Sequence, residues 1–395
     1  MHILFLSRWF PFPIENGAKI RIFNLLKGLS TRYTVDLLSF YENENIKAGI
    51  EFLQNFLGKV KVVRYRPFQP NSAKSIVGFF SRQPRSVIDT YHPELAAQVE
   101  ELTSTHRYDL VIASEIDMAI YGLQTNGTKK VLEELEVTKI LAAYRQETNL
   151  LKKLRGGLTW WKLSGYVRRL LKDYDGCTVV SEQEAQALIG IYPGKKPAVI
   201  PNGVDCAYYR QECEVEPEPD TLIFNGSITY SVNFDAAAYF IEQILPLIQT
   251  KRPQVRLLIT GKVTPALIQA LPQNSGVDFT GFLEDIRPTL FRAWANVVPL
   301  TIGGGTRLKI LEAMAAGLPV ISTSIGAEGL EVEPGKNILL ADQPEAFAQA
   351  VLDVLGDSEL RNQLAQNGRK AVETRYDWEQ INQGFHGYLH QVMQA

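Results

Sequence analysis

The stretch PLTIGGGTRLKILEAMAAGLPVISTS, residues 299–324, contains a glycine-rich turn that runs directly into a helical pattern with one carboxylate, Glu312. A short apolar run, VIS, follows after Gly317 and Pro319. The segment is therefore predicted to form a strand, a glycine loop, a helix and a second strand. Free backbone amides and the positive end of the helix dipole make such a helix start a binding site for anions. We expect a phosphorylated ligand here.

Two charged residues of this predicted helix share one face. Lys309 lies near the helix start and Glu312 one turn further on, whereas Leu308, Leu311 and Ala315 form a separate apolar stripe. This order suits a nucleoside diphosphate, with the cation at the phosphates and the carboxylate accepting hydrogen bonds from the ribose hydroxyls. The alternative is a helix with a solvated lysine and glutamate pair. Three consecutive glycines favour the ligand site, because they are costly unless the backbone must approach something closely.

Composition limits the class of protein. The chain has 395 residues, 45% of them hydrophobic and 21% charged, which is typical of a globular protein with more than one core. A net charge of −2 disfavours binding to nucleic acid. Cys177, Cys206 and Cys213 are odd in number and lack the spacing of zinc ligands, so neither a disulfide framework nor a metal site is expected. These cysteines fit a reducing, cytoplasmic location.

Short apolar strands alternate with helical patterns along the whole chain. The first half has HILFLS, YTVDLLSF, KVKVVRYR, DLVIAS, KKVLEEL and GCTVVS, and the second has TLIFN, VRLLIT, VDFTG, ANVVP, LPVIS and NILLA. This alternation predicts two doubly wound parallel sheets. The turn at 201–204 and the acidic, proline-bearing stretch at 214–220 are the predicted connector. No run of apolar residues is long enough to span a membrane, and we interpret the apolar N-terminus as a first strand and not as a signal peptide.

Several motifs occur in an order that resembles a known family. They are VVSEQEA from Val179, VIPNGVDCAYY from Val199, FNGSITYSVNFDAA from Phe224, LLITGK from Leu257, VDFTGFLEDIRPTLFRA from Val277, the segment 299–324 and LLADQPEAFAQAV from Leu339. Together they resemble the retaining glycosyltransferases of family 4. The resemblance implies an α/β protein of the GT-B fold, with two doubly wound, Rossmann-like domains facing a central cleft and a C-terminal helix that crosses back to the first domain.

The resemblance also implies domain roles and an activity. Residues 1–203 with the helix 377–395 would form an N-terminal acceptor-binding domain, and residues 204–376 a C-terminal domain for the nucleotide-sugar donor. Such enzymes transfer a sugar from a nucleotide-diphosphate donor to an acceptor hydroxyl with retention of anomeric configuration. The acceptor would be a saccharide, a lipid-linked sugar or a small molecule. The nucleotide sugar is a co-substrate, so no further cofactor and no metal are expected.

Individual positions follow from the glycine pattern and from the resemblance. Asn16 and Arg21 are the predicted acceptor contacts, and the alternatives are an ordinary tight turn and a solvated arginine. At residues 281–283 a donor contact is predicted. The alternative is that these residues only end a strand before a helix that Asp285 caps. The predicted donor contacts are Gly17, Gly226, Ser227, Gly281, Phe282, Gly303, Gly304, Gly305, Thr306, Arg307, Lys309 and Glu312.

The chain departs from the family pattern at three places. Position 304 is glycine where many members have a glutamate eight residues before the one corresponding to Glu312. The arginine and lysine that often follow the glycine at 226 are absent, which makes Lys309 the best candidate to neutralise the diphosphate. The histidine common after the fourth strand is absent, and Glu136 is the nearest polar substitute. The predicted catalytic residues are Lys309, Glu312 and Glu136, and the alternative for Glu136 is a surface charge in an acidic loop.

The segment 152–172 mixes basic and aromatic residues. It is predicted either to lie peripherally on the inner face of an anionic membrane or to be a long helix with a solvated basic face and two packed tryptophans. Gly156 and Gly157, which interrupt the amphipathic pattern, favour the second interpretation. Two other functions remain open: a sugar-nucleotide-binding protein without transfer activity, and a GT-B enzyme such as a nucleotide-sugar epimerase.

Overall fold

A computed structural model describes residues 1–42, 46–210, 215–302 and 307–395. The chain forms two compact units, residues 1–201 with 381–395 and residues 202–380. No helix in the described ranges is both long and apolar enough to cross a membrane. Each unit is an α/β layer structure built on one parallel sheet, as the alternation of strands and helices predicted.

The first unit contains a seven-stranded sheet. Its strands are β1 (His2–Ser7), β2 (Thr34–Tyr41), β3 (Val60–Arg64), β4 (Leu110–Ser114), β5 (Lys129–Glu133), β6 (Gly176–Val179) and β7 (Ala198–Val199). Its helices are α1 (Gly17–Ser30), α2 (Ile46–Gln54), α3 (Ala73–Val77), α4 (Arg85–Thr90), α5 (Pro93–Thr105), α6 (Ala119–Gly122), α7 (Thr138–Gln146), α8 (Leu150–Asp173) and α9 (Glu182–Ile191). The order β3-β2-β1-β4-β5-β6-β7 reverses direction between β1 and β4.

The second unit contains a six-stranded sheet. Its strands are β8 (Thr221–Asn225), β9 (Arg256–Thr260), β10 (Val277–Gly281), β11 (Ala295–Val298), β12 (Val320–Ser322) and β13 (Leu339–Leu340). Its helices are α10 (Cys206–Arg210), α11 (Ser231–Tyr239), α12 (Leu245–Lys251), α13 (Pro265–Ala270), α14 (Arg287–Arg292), α15 (Leu308–Ala315), α16 (Pro344–Gly356) and α17 (Ser358–Arg375), with a π-helical turn at Phe240–Ile244. The order β10-β9-β8-β11-β12-β13 reverses between β8 and β11.

Parallel pairing explains why the strands are continuous apolar runs. All the named strands pair in parallel, from β1 beside β2 to β12 beside β13. Helices cover both faces of such sheets, so the central strands β4, β8 and β11 are wholly buried, whereas the edge strands β7, β10 and β13 are partly exposed. In β1 the residues from Ile3 to Ser7 are all buried. The points of reversal matter for function, because ligands of this class of fold bind beyond the carboxyl ends of the strands there.

The last helix, α18 (Trp378–Gln394), belongs to the first unit from Ile381 onward. Phe385 and Leu389 on its apolar face are buried. The Tyr388 hydroxyl donates to the carbonyl oxygen of Cys177 at 3.0 Å and accepts from the Cys177 amide at 2.7 Å. The predicted return of the C-terminal helix to the first domain is therefore confirmed.

Candidate functional site

A buried asparagine holds Glu312 at the carboxyl end of β8. Asn225, the last residue of β8, donates from Nδ2 to Oε2 of Glu312 at 3.0 Å. Asn296 in β11 donates to Oδ1 of Asn225 at 2.6 Å and so fixes the orientation of that amide. Tyr209 also hydrogen-bonds the Glu312 side chain. Burial raises the pKa of Glu312, and these hydrogen bonds together with the nearby Lys309 charge oppose the rise.

Lys309, one turn before Glu312 on α15, lies beside the loop that leaves β8. Its Nζ donates to Oδ1 of Asn233 at 2.8 Å and lies 4.4 Å from the ring centroid of Phe224. Burial, reinforced by the positive charge of Arg307, lowers the pKa of Lys309 to about 7. The nearby Glu312 carboxylate offsets only part of this lowering. An anion bound at Nζ would restore the protonated form of this lysine.

Two glycines shape the adjacent loops. Gly226, directly after β8, has φ +151°, and a Cβ there would lie 2.9 Å from Nζ of Lys309. Gly261, after β9, has φ +97°, and its Cβ would lie 2.6 Å from the backbone nitrogen of Ser227. The Ser227 hydroxyl donates to the Lys262 carbonyl oxygen at 2.9 Å, which ties the two loops together. Only residues without a side chain permit this close approach.

The other predicted donor contacts of the second unit lie at several separate places. Gly281 ends β10 with φ +73°, and the side chain of Phe282 after it is 61% exposed. The Asp285 carboxylate accepts hydrogen bonds from the amide and the guanidinium of Arg287, at the start of α14. Arg307 is 4% exposed, and its Nη2 donates to the carbonyl oxygen of Ile325 at 3.0 Å. The predicted loop residues Gly303, Gly304, Gly305 and Thr306 lie outside the described residues.

In the first unit, the side chains of Asn16 and Arg21 both form contacts within the protein. Asn16 has extended backbone, φ −148°, and its side chain caps α1 by accepting from the Lys19 amide at 3.0 Å. Gly17 is the exposed first residue of that helix. Arg21 is fully buried, and its Nη2 lies 2.6 Å from Oε1 of Glu133. Arg21 is therefore neither solvated nor directed into open space, and contact between this guanidinium and an acceptor stays a prediction without structural support.

An acidic cluster lies where β4 and β5 end. Glu115 and Glu134 have positive φ, 69° and 56°, which is rare for residues other than glycine and costs about 1–3 kcal/mol each. Burial, followed by the negative charge of Asp117, raises the pKa of Glu115 to about 8. Burial also raises the pKa of Glu134 despite the nearby Arg21. Glu136 is exposed, and partial desolvation and the charge of Glu184 raise its pKa as well.

Neighbouring donors hold the Glu133 carboxylate of this cluster. Among the described residues no group of three or more histidine, cysteine or acidic side chains has the arrangement of a metal site. The Ser114 hydroxyl donates to Oε2 of Glu133 at 2.6 Å, and Arg21 holds Oε1 of the same carboxylate. Sequence reasoning noticed the acidic run at 132–137 but gave no role to Glu115, which lies 18 residues before Glu133. Proximity in the sheet, at the β4 and β5 ends, brings the two regions together.

A recess that is open to solvent lies beyond the ends of β1 and β2. Its walls combine aromatic and charged side chains, and the Arg8 guanidinium, 6% exposed, lies 3.1 Å from the ring centroid of Tyr65. Nη2 of Arg8 also forms an ion pair with Glu42 at 2.6 Å. The residues that line the recess are Arg8, Trp9, Phe10, Phe12, Glu15, Asn16, Lys19, Phe40, Tyr41, Glu42 and Ile46.

Comparison with known proteins agrees with the geometry. Residues 219–357 match the profile of the family Glycosyl transferases group 1. A phosphatidyl-myo-inositol mannosyltransferase of Mycobacterium tuberculosis is 28% identical over 201 residues, which span 48% of this chain and 52% of that protein.

Two solved structures resemble the whole chain. The sucrose-phosphate synthase from Thermosynechococcus elongatus superposes with a TM-score of 0.68 at 18% identity, over 99% of each chain. Anabaena HepE, in complex with UDP-glucose, superposes with a TM-score of 0.65 at 19% identity, over 99% of this chain and 100% of that one. At these identities the two structures establish the fold alone. Residues 219–357 therefore resemble the glycosyl transferases group 1, and the chain as a whole has the GT-B fold.

Proposed function

We propose that the protein transfers a sugar from a nucleotide-diphosphate donor to an acceptor hydroxyl, with retention of anomeric configuration, as enzymes of glycosyltransferase family 4 do. The observation that carries the proposal is the arrangement of Lys309 and Glu312 at the carboxyl end of β8. A half-buried lysine with a pKa of about 7 lies beside Gly226, at the point where the order of the sheet reverses. Such a position suits a diphosphate, whose charge the lysine and the start of α15 would balance.

In this proposal the second unit binds the donor. The lysine Nζ contacts the diphosphate, and the remaining oxygen capacity of Glu312 accepts hydrogen bonds from the ribose hydroxyls. Asn225 and Tyr209 keep that carboxylate in place before the ligand arrives. The loop of Gly226 and Ser227 borders the phosphates. The UDP-glucose complex of the similarly folded HepE supports a nucleotide sugar as the ligand class.

The chemical step needs little from a protein base. The bond between the anomeric carbon and the phosphate oxygen breaks, and the acceptor oxygen forms a new bond to that carbon on the same face. The proton of the acceptor hydroxyl moves to the leaving phosphate oxygen. Lys309 stabilises the charge that develops on the diphosphate, which is the type of contribution that fixed charges make most effectively. This route calls for no divalent metal and no further cofactor.

The first unit is proposed to bind the acceptor. Its recess combines aromatic faces, such as Trp9, with the charged groups of Arg8 and Glu42. Sugars suit such walls, because their C–H faces pack on aromatic rings while their hydroxyls need polar partners. Gly17 and Asn16 lie at the start of α1 near this recess, and Glu136 is proposed to orient the acceptor hydroxyl or to stabilise the cationic sugar as it forms.

The proposal is tested by incubating the pure protein with a panel of nucleotide sugars, with and without saccharide and lipid-linked acceptors. Release of nucleoside diphosphate with formation of a glycoside is the expected result. Proton coupling constants of the first-formed product should show the configuration of the donor, and activity should persist in a chelator.

Four outcomes contradict the proposal. Tight binding without turnover would show a sugar-nucleotide-binding protein, and interconversion of donors would show an epimerase. An inverted product, or activity that disappears in chelator and returns with a divalent ion, would contradict retention or independence of metal.

A further inference from the structure

Helix α8 has two apolar faces, and only one of them is covered. Its second half buries Leu163, Tyr166, Val167, Leu170 and Leu171 in the first unit. Its first half carries large apolar side chains on the opposite side. At about 100° per residue, the stripe lies within an arc of about 100° centred roughly opposite the buried face. The stripe consists of Leu150, Leu151, Leu154, Leu158 and Trp161, all exposed.

This stripe is exposed to an unusual degree for a surface helix. Leu150 is 72% exposed, Leu151 is 78% and Trp161 is 62%. The helix is continuous through Gly156 and Gly157, where Tyr144 of α7 packs against it. The sequence favoured a long helix with two packed tryptophans and an amphipathic pattern interrupted at Gly156 and Gly157. In the structure Trp161 is exposed and the helix continues through both glycines.

A second apolar segment lies beside the stripe. The loop that follows α3 places Phe79 and Phe80 on the surface, and Phe80 is 92% exposed. Lys162, itself 7% exposed, fastens this loop to α8, because its Nζ donates to the carbonyl oxygens of Gly78 at 3.2 Å and Phe79 at 2.5 Å. Ile76 and Val77 of α3 extend the apolar area.

The charges around this area are almost all positive. Residues 72–82 and 138–161 include seven basic side chains and a single acidic one, Glu147, whereas the whole chain has a net charge of −2. All seven are exposed, and none forms an ion pair with another described residue. They are Lys74, Arg82, Lys139, Arg145, Lys152, Lys153 and Arg155.

We propose that the exposed stripe of α8 and the loop at Phe79 and Phe80 form a docking surface for an anionic lipid bilayer. The apolar side chains enter the boundary between headgroups and acyl chains, and the surrounding lysines and arginines attract the anionic headgroups. A neutral apolar partner would not require this ring of like charges. The surface covers residues 150–161 and 76–80. It shares residues 152–161 with the segment 152–172 but ends at Trp161, because the large apolar side chains of the helix beyond that residue are buried. The inference does not depend on the proposed transfer reaction.

Vesicle flotation of the full chain tests this surface. The protein should float with vesicles of phosphatidylcholine mixed with phosphatidylglycerol and not with phosphatidylcholine alone, and added salt should weaken the binding. The triple variant Leu150→Ser, Leu154→Ser, Trp161→Ser should lower the partition coefficient more than tenfold. Removing Lys152 and Lys153 as Lys152→Gln and Lys153→Gln should lower it about fivefold for each lysine.

The matched controls are Leu247→Ser, an exposed leucine of α12, and Lys370→Gln, an exposed lysine of α17. Both should float as the unchanged protein does. Because every substituted side chain is exposed, the thermal unfolding midpoints of all variants should stay close together.

The proposal is overturned if the unchanged protein binds both kinds of vesicle equally or binds neither, or if the triple variant floats undiminished. Self-association of the unchanged protein in sedimentation velocity, lost in the triple variant and accompanied by no vesicle binding, would instead show that a second copy of the chain covers this face.

Discussion

Each unit has a basic and an acidic side chain at the point where the strand order of its sheet reverses. The two pairs differ in whether the opposite charges contact each other. In the first unit, Nη2 of Arg21 lies 2.6 Å from Oε1 of Glu133, and both side chains have 0% exposure. In the second, Lys309 bonds to Asn233 and Glu312 to Asn225. Within the described part of the chain no ion pair joins Lys309 to Glu312.

This difference is the reason why we propose a ligand site in the second unit and a structural pair in the first. Arg21 and Glu133 neutralise each other, and the nearby Glu134 carboxylate raises the pKa of Arg21 still further against burial. The pKa of Lys309 is lowered instead, because burial and the positive charge of Arg307 outweigh the attraction of Glu312. The first arrangement is complete without a ligand. The second has capacity left for an anion, which is why we place the donor there.

The largest expected effect comes from breaking the buried pair of the first unit. Arg21→Met would leave Glu133 buried without its cation, which costs about 3–5 kcal/mol of unfolding free energy. Chemical denaturation should show this loss, and the double variant Arg21→Met, Glu133→Leu should recover most of it. The control is the exposed pair of Arg292 and Glu218, where Arg292→Met should cost less than about 1 kcal/mol. Equal losses of unfolding free energy in Arg21→Met and Arg292→Met would mean that the buried pair of Arg21 and Glu133 stabilises the fold no more than an exposed ion pair does.

The next largest effect concerns catalysis in the second unit. Lys309→Ala should reduce turnover by about 10² or more, because it removes the charge that stabilises the leaving diphosphate. Arg307→Ala should reduce it less, since that guanidinium is directed toward the Ile325 carbonyl oxygen. The measurement is kcat at saturating acceptor, with the folded fraction of each variant determined by circular dichroism. Equal or reversed effects would place the necessary cation elsewhere in the protein.

Local patterns predicted the elements of the fold but not the partners of the charged groups. Apolar runs gave the strands, and the spacing of Lys309 and Glu312 gave α15 its correct faces. Arg21 could not be paired from the sequence, because Glu133 is 112 residues away and only the sheet brings them together. Asn225 and Asn233 are both part of the quoted motif at 224–237. The motif does not show that Asn225 hydrogen-bonds Glu312 and that Asn233 hydrogen-bonds Lys309. The left-handed backbone of Glu115 and Glu134 likewise has no local signature, since glutamate is not a residue that favours it.

A smaller effect should follow from changing the carboxylate of the second unit. Glu312→Gln keeps the shape of the side chain but removes its charge, so binding of a nucleoside diphosphate should weaken by about 1.5–3 kcal/mol, the usual size of a hydrogen bond to a charged group. Isothermal titration measures the change. The control is Glu328→Gln, an exposed glutamate of the same unit, which should bind as before. Unchanged affinity in a folded Glu312 variant would remove this residue from the donor site.

The smallest expected effect is a pH dependence that belongs to Lys309. In the free protein burial lowers the pKa of this lysine to about 7, and a bound diphosphate should raise it. Affinity for a nucleotide sugar should therefore be greatest below pH 7. It should fall by up to about tenfold per pH unit as the pH rises above 7, because binding then requires the uptake of a proton.

A nucleotide sugar is the appropriate ligand for this measurement, because its diester phosphates do not titrate in that range, whereas the terminal phosphate of a free nucleoside diphosphate does. Titrations in buffers of different ionisation enthalpy should show proton uptake near pH 8. Lys309→Met should bind more weakly and with a flat profile over the same range, while Arg307→Met should keep the slope. A slope that persists in Lys309→Met would assign the titration to another group. A flat profile in the unchanged protein would mean that Lys309 is already fully protonated, and the contrast between the two units would then rest on geometry alone.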